Sequence, residues 1–196
     1  QKFRPRRPLD GIILAVPAET FADERDGSVE RLESMAEAIH RGIGELQTRL
    51  GMALPIYLVI TKSESLPGFS QATALLSDEH LSEAFGWASP YPTGAAYSNE
   101  WCSEAINDLV PRIQDAVNEC LALTSVKEQS FNDAILLPTA IEKLRANLDS
   151  FLGSVLRVSN FNKSAALRGI FFTGGHPRNQ RFSSDTAIGK RAFVHG

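Results

Sequence analysis

The sequence has no long apolar run. Nothing in it approaches the roughly 18 residues that a membrane-crossing helix requires, and no basic segment followed by a short apolar stretch opens it as a secretory leader does. Its 196 residues are therefore expected to be soluble by themselves, with any membrane segment lying outside them. Cysteine is scarce. Cys102 and Cys120 are the only two; they show neither a C-x-x-C spacing nor a histidine nearby, a pattern of two reduced thiols rather than of a zinc ribbon or disulfide framework. His40, His80, His176 and His195 are scattered, and H-E-x-x-H does not occur, so no metal site is expected. Strong charge of one sign is also missing, the formal net charge being -3. The one basic cluster, Lys2, Arg4, Arg6 and Arg7, is interrupted by Pro5 and Pro8 and reads as a solvated arm, which gives no reason to expect nucleic acid as a partner. Asp23, Glu24 and Asp26 read as a solvated acidic loop.

Two chemical signatures are missing as well. No G-x-S-x-G elbow is present, and no G-x-x-x-x-G-K-[ST] loop. The nearest lookalike to the latter, S-S-D-T-A-I-G-K-R ending at Arg191, lacks the first glycine and the hydroxyl after Lys190. Without a phosphate cradle and a magnesium ligand, phosphoryl transfer has no apparatus. The chain is not a complete NTPase, and neither a catalytic residue nor a cofactor is expected within it.

What is present is an ordinary globular composition, 43% hydrophobic and 22% charged, and a chain long enough for one domain with a proper core. Leu9 to Val16 is continuously aliphatic and stops at Pro17. Leu54 to Thr61 is a second run of the same kind, and both are expected to be strands covered on both faces of a parallel sheet. Between them Val29, Leu32, Met35, Ile39, Ile43, Leu46 and Leu50 recur at helical steps, after a capping Ser28 and before a terminating Gly51. Strand, helix, strand is a βαβ unit with parallel strands.

From Leu66 to about Asn162 the pattern is helical. A short helix is expected from Ser77 to its end at Gly86. A second carries Ile106, Leu109, Val110, Ile113, Val117, Cys120 and Leu121, with Pro111 kinking or restarting it. A third starts at Pro138 and buries Ile141, Leu144, Leu148, Phe151, Leu152 and Val155. Leu167 to Thr173 then reads as a third strand. The chain thus divides into a βαβ part over 1–65, a helical insertion or subdomain over 66–162, and the last strand with its following loop over 163–196.

The second strand ends in T-K-S-E, Thr61 to Glu64. Ligands of doubly wound sheets sit beyond the carboxyl ends of the strands, and this spacing resembles the [N/T]-K-x-D element with which GTPases read guanine. There a lysine stem lies along the purine and a carboxylate accepts from N1 and N2, donors that adenine lacks. Glu64 is one methylene longer than that aspartate. The third strand ends in F-T-G-G, where GTPases place a second base-contacting loop. Thr61, Lys62, Glu64, Thr173 and Gly174 are therefore the candidate base-binding residues. The alternative is a polar loop in which Lys62 is solvated and Glu64 begins a turn. His176 to Arg181 forms a further polar cluster at the same edge.

The order R-P-L-D-G-I-I-L-A-V, L-P-I-Y-L-V-I-T-K-S-E-S-L-P-G-F, F-G-W and A-L-R-G-I-F-F-T-G-G resembles the IcmF/TssM family across nearly the whole chain. That resemblance implies an α/β fold, a partial P-loop GTPase-like parallel sheet of which three strands are seen, with a large helical insertion. The chain would be the C-terminal half of the family's cytoplasmic GTPase-like domain. The resemblance further implies a component of the membrane complex of a type VI, or related type IVB, secretion system, on the cytoplasmic side of the bacterial inner membrane and anchored by segments outside this chain. Its implied partners are other membrane-complex and baseplate proteins, in an oligomeric assembly. Its role would be assembly and anchoring of the apparatus; the alternatives are an active GTPase or ATPase switch whose P-loop half lies upstream of this chain, with GTP or ATP and magnesium in the intact protein, and a plain protein-interaction module. Glu64 and Gly174 depart from the family's aspartate and serine. A half-domain would bare the edge of its first strand, so that edge is expected to be covered by more of the domain, another protomer or a partner.

Overall fold

The computed structural model describes residues 9–75, 84–92, 94–123, 133–158 and 166–175. The helix expected from Ser77, the basic arm, the His176 to Arg181 cluster and the tail lie outside the described residues. In chain order the elements are β1 (Ile12–Pro17), α1 (Ala18–Ala22), α2 (Ser28–Leu50), β2 (Ile56–Thr61), a 3-10 turn (Ser63–Ser65), α3 (Phe69–Ala74), β3 (Gly86–Ala88), α4 (Glu100–Leu123), α5 (Leu136–Lys143), α6 (Arg145–Leu156) and β4 (Leu167–Phe172).

The two aliphatic runs pair in parallel, Ile12 opposite Ile56 through Pro17 opposite Thr61. β4 adds in parallel to the other side of β2, with a register irregularity at Ile56 and Tyr57. The sheet order is β1-β2-β4-β3, and β3 runs antiparallel to β4. This fourth strand was not expected. Gly86, read from sequence as the end of a helix, instead opens β3, because the strand lies so close to β4 that a Cβ there would sit 2.2 Å from the Ile170 carbonyl oxygen.

Alternation decides which face is core. Ile56, Leu58 and Ile60 are wholly buried, whereas Tyr57, Val59 and Thr61 between them are half-exposed. Ile13, on the same side as Tyr57, is 68% exposed. The expectation of strands covered on both faces is thereby corrected. An unbroken aliphatic run makes both faces apolar but does not supply the layer that would cover the second one. That face is instead roofed in part by its own rings, since a Cβ on Gly11 would meet the Tyr57 ring at 3.3 Å and one on Gly169 the Phe171 ring at 2.5 Å. No described strand pairs with the outer side of β1.

The helices fill the buried face. α2 begins after Gly27, in the left-handed region at φ 77°, so Ser28 is its first residue and no side chain caps it. It ends as expected at Gly51, whose N–H donates to the Gln47 carbonyl at 2.9 Å. Its buried residues include Leu32, Ala36, His40, Ile43 and Gln47, while Val29 and Leu46 face out. The buried stripe is rotated from the one the aliphatic residues mark because α2 packs on α6. There a ring nitrogen of His40 lies 3.0 Å from the Val155 carbonyl oxygen.

α4 continues through Pro111 without restarting. The helix expected from Pro138 divides at Leu144 into α5 and α6, yet Ile141, Leu144, Leu148, Phe151, Leu152 and Val155 are all buried as expected. Arg145 fastens α6 to α4, its guanidinium donating to Glu142 at 2.6 Å, Asn107 at 2.8 Å and the Ser103 carbonyl at 3.2 Å. These helices and the buried sheet face form one core. Among the described residues no helix is long and apolar enough to cross a membrane.

Candidate functional site

The carboxyl ends of β2 and β4 are adjacent because the strands are parallel and Ile60 stands opposite Phe172. Beyond them the two loops interlock through backbone. The Thr173 N–H donates to the Ile60 carbonyl at 2.8 Å, and the Ser63 N–H to the Thr173 carbonyl at 3.1 Å. Lys62 takes the turn between strand and 3-10 helix with φ 53° and ψ 37°, the one described non-glycine residue with positive φ. A side chain in this left-handed region costs on the order of 1–2 kcal/mol. Local bonds hold it there: the Ser65 hydroxyl and N–H both donate to the Lys62 carbonyl, at 2.8 and 3.0 Å. Buried Ser63 donates its hydroxyl to the Ile60 carbonyl at 3.0 Å.

Glu64 reaches across to β4. Its Oε2 accepts from the Gly175 N–H at 2.9 Å. Its own backbone N–H, the Gly175 N–H and, more weakly, the Lys62 charge hold the carboxyl below the ordinary range, with partial desolvation opposing. Gly174 lies directly against it. A Cβ on Gly174 would stand 2.6 Å from Glu64 Oε2, 2.8 Å from the Phe69 ring and 2.9 Å from the Glu64 backbone nitrogen. Phe69 in turn meets Phe85 edge-on, with centroids 6.1 Å apart, and Phe85 packs on Phe172 at 5.9 Å.

The structure therefore brings Thr61, Lys62, Glu64, Thr173 and Gly174 to one edge, with Lys62, Glu64, Thr173 and Gly174 exposed and Thr61 half-buried. Sequence reasoning missed Ser63, Phe69 and Gly175, which hold that edge together. The hydroxyls on either side of Glu64 were the available signal, since serines after a strand favour bonds to nearby carbonyls.

Elsewhere the titratable groups are structural. Cys102 is a free, fully buried thiol. Burial, and then the Asp149 carboxylate, push its pKa up to about 12 against the opposing pull of Arg145, so it stays protonated and unreactive. A concavity among Glu30, Glu33, Ser34, Glu37 and Ser154 lies between α2 and α6 and presents carboxylates. Among the described residues no three His, Cys, Asp or Glu side chains gather as a metal site.

The family model of the IcmF-related N-terminal domain matches residues 1–194. The chain is 27% identical over 183 residues to the type VI secretion system component TssM1 of Pseudomonas aeruginosa PAO1, covering 88% of this chain and 15% of that protein. No solved structure matches the chain. The matching family model describes an N-terminal domain, and the sequence expectation of a C-terminal half of a GTPase-like domain gains no support from it.

Proposed function

The chain belongs to the IcmF-related family, and from that premise we propose that it serves a type VI or related secretion machine as an assembly and anchoring domain that performs no nucleotide hydrolysis of its own. The observation that carries this reading is the family match over 1–194, joined by similarity to a type VI secretion component. In this reading the domain lies on the cytoplasmic side of the bacterial inner membrane, within a longer protein that supplies the membrane helices. Its partners are the other membrane-complex and baseplate proteins, and it works in an oligomer. The parallel core of β1, β2 and β4 is the P-loop GTPase-like part, and the strand-end loops retain the shape of a base-reading edge without a phosphate cradle in this chain.

The test is made in the bacterium. Deleting the region from the full-length protein, with the remaining segments joined in frame and inserted normally, is expected to stop export of the system's secreted substrate and to prevent the membrane complex from assembling. Export at the unaltered level would sink the proposal.

A second reading, a conformational switch driven by GTP or ATP with magnesium, draws on the left-handed Lys62 at the carboxyl end of β2. Here Thr61, Lys62, Glu64, Thr173 and Gly174 contact the base. Titration of labelled GTP and ATP against the full-length protein and its Lys62→Ala, Glu64→Ala double variant separates the two. Saturable binding lost in the variant supports the switch; no binding in either supports the adaptor.

A further inference from the structure

We propose that Glu64 and Gly174 act as one coupled latch, in which the carboxylate at the base-reading position is engaged by the protein's own backbone and is thereby withheld from guanine. The inference rests on the reading above that Thr61 to Glu64 occupy the base-contacting position.

The geometry has three parts. The Gly175 N–H donates to Glu64 Oε2 at 2.9 Å, which is the interaction a guanine N–H would seek. The volume that a side chain at 174 would fill is taken by that same carboxylate, 2.6 Å from the built Cβ position, together with the Phe69 ring at 2.8 Å and the Glu64 backbone nitrogen at 2.9 Å. Behind both, Thr173 is tied by backbone bonds to Ile60 of β2 at 2.8 Å and to Ser63 of the 3-10 turn at 3.1 Å, so the Gly174–Gly175 segment starts from a fixed point. An aspartate at 64 is one methylene shorter and draws the carboxylate out of that volume, leaving the Phe69 ring and the residue-64 backbone beside it. The longer side chain and the missing one are thus two halves of one arrangement. A ligand that uses Oε2 must compete there with the Gly175 amide, and a side chain at 174 must shift the carboxylate, the Phe69 ring and the Glu64 backbone. Glu64 is a positioning residue for the loop that ends β4.

Amide exchange followed by mass spectrometry on the full-length protein reads the latch directly. Glu64→Ala should speed exchange of the Gly175 amide by roughly three- to tenfold, as expected for loss of one bond to a charged acceptor at an exposed site. Glu64→Gln keeps the reach and an acceptor oxygen and should restore most of the protection. Gly174→Ala should loosen residues 63–66 and 173–175 in the unaltered background, and measurably less in the Glu64→Asp background, where the carboxylate contact is relieved while those to the Phe69 ring and the residue-64 nitrogen remain. The unaltered protein should show no saturable binding of a fluorescent GDP.

Unchanged Gly175 exchange in Glu64→Ala overturns the latch. Equal effects of Gly174→Ala in both backgrounds overturn the coupling, and saturable GDP binding that Glu64→Ala abolishes overturns the claim that the carboxylate is withheld. These readouts come from purified protein and the assembly test from export in cells, so either proposal can fail while the other stands.

Discussion

The two faces of the sheet have nearly the same composition and opposite fates. Ile56, Leu58 and Ile60 are sealed under α2, α4, α5 and α6, while their immediate neighbours Tyr57, Val59 and Thr61 are half-exposed and Ile13 beside them is open. Hydrophobicity alone does not separate these groups. What separates them is the presence of an amphipathic layer on one side, and the second face is left to aromatic rings lying over glycines. Apolar surface stabilises only where something removes it from water.

The largest expected contrast follows from that difference. Leu58→Ala should cost about 2–5 kcal/mol, the range for a large core truncation that leaves a cavity. Val59→Ala, one residue along the same strand, should cost under about 1 kcal/mol because its side chain is already part-solvated. Urea unfolding of the two variants checks this, and similar losses would mean that the open face is covered in solution. Gly86→Ala tests the close approach of β3, where the added methyl would collide with the Ile170 carbonyl and Phe171. A loss of at least about 1–3 kcal/mol is expected, with the antiparallel strand freed from β4.

A smaller effect of opposite sign is expected within the sealed side. Gln47 is buried, and among the described residues neither its amide nitrogen nor its amide oxygen has a hydrogen-bond partner. Gln47→Leu should therefore stabilise the chain by about 1–2 kcal/mol, seen as a higher unfolding midpoint.

The smallest effect is at the strand ends. Glu64 is held below the ordinary carboxylate range in the folded chain, so its contribution is fully present above that range and lost as pH falls through the lower folded value. Asp23 behaves likewise, held down chiefly by the Arg25 side chain. Glu64 is exposed and Asp23 is part-buried between Arg25 and Arg31, and both losses are confined to acid, the one at Glu64 being small. Glu64→Gln should flatten the part due to the strand ends, measured as unfolding midpoint against pH between neutrality and the acid limit.

Legibility from sequence followed the physics of each signal. β1, β2 and β4 were readable because buried parallel strands are unbroken aliphatic runs, and the Gly51 helix end because the left-handed closure favours glycine. The α6 core was readable because Leu148, Phe151, Leu152 and Val155 sit at helical spacing. The buried stripe of α2 was misread, because His40 and Gln47 are polar and no periodicity of aliphatic residues includes them. β3 was missed because three residues carry no period, and its strand character comes from pairing with β4. At the candidate site Lys62 and Glu64 were found by spacing, whereas Gly175 as the partner of Glu64 depends on a contact across 111 positions of chain.

By itself the sequence determined the α/β character, the parallel pairing of the aliphatic strands, the family, and the absence of a phosphate-binding loop from this chain, because each is written in local composition or in a short motif. Only the tertiary structure decided which apolar face is covered, that β1 stands at one end of the described sheet, and that the Glu64 carboxylate is bound to its own chain. Those depend on which distant segments arrive beside one another, and no local pattern of side chains encodes that.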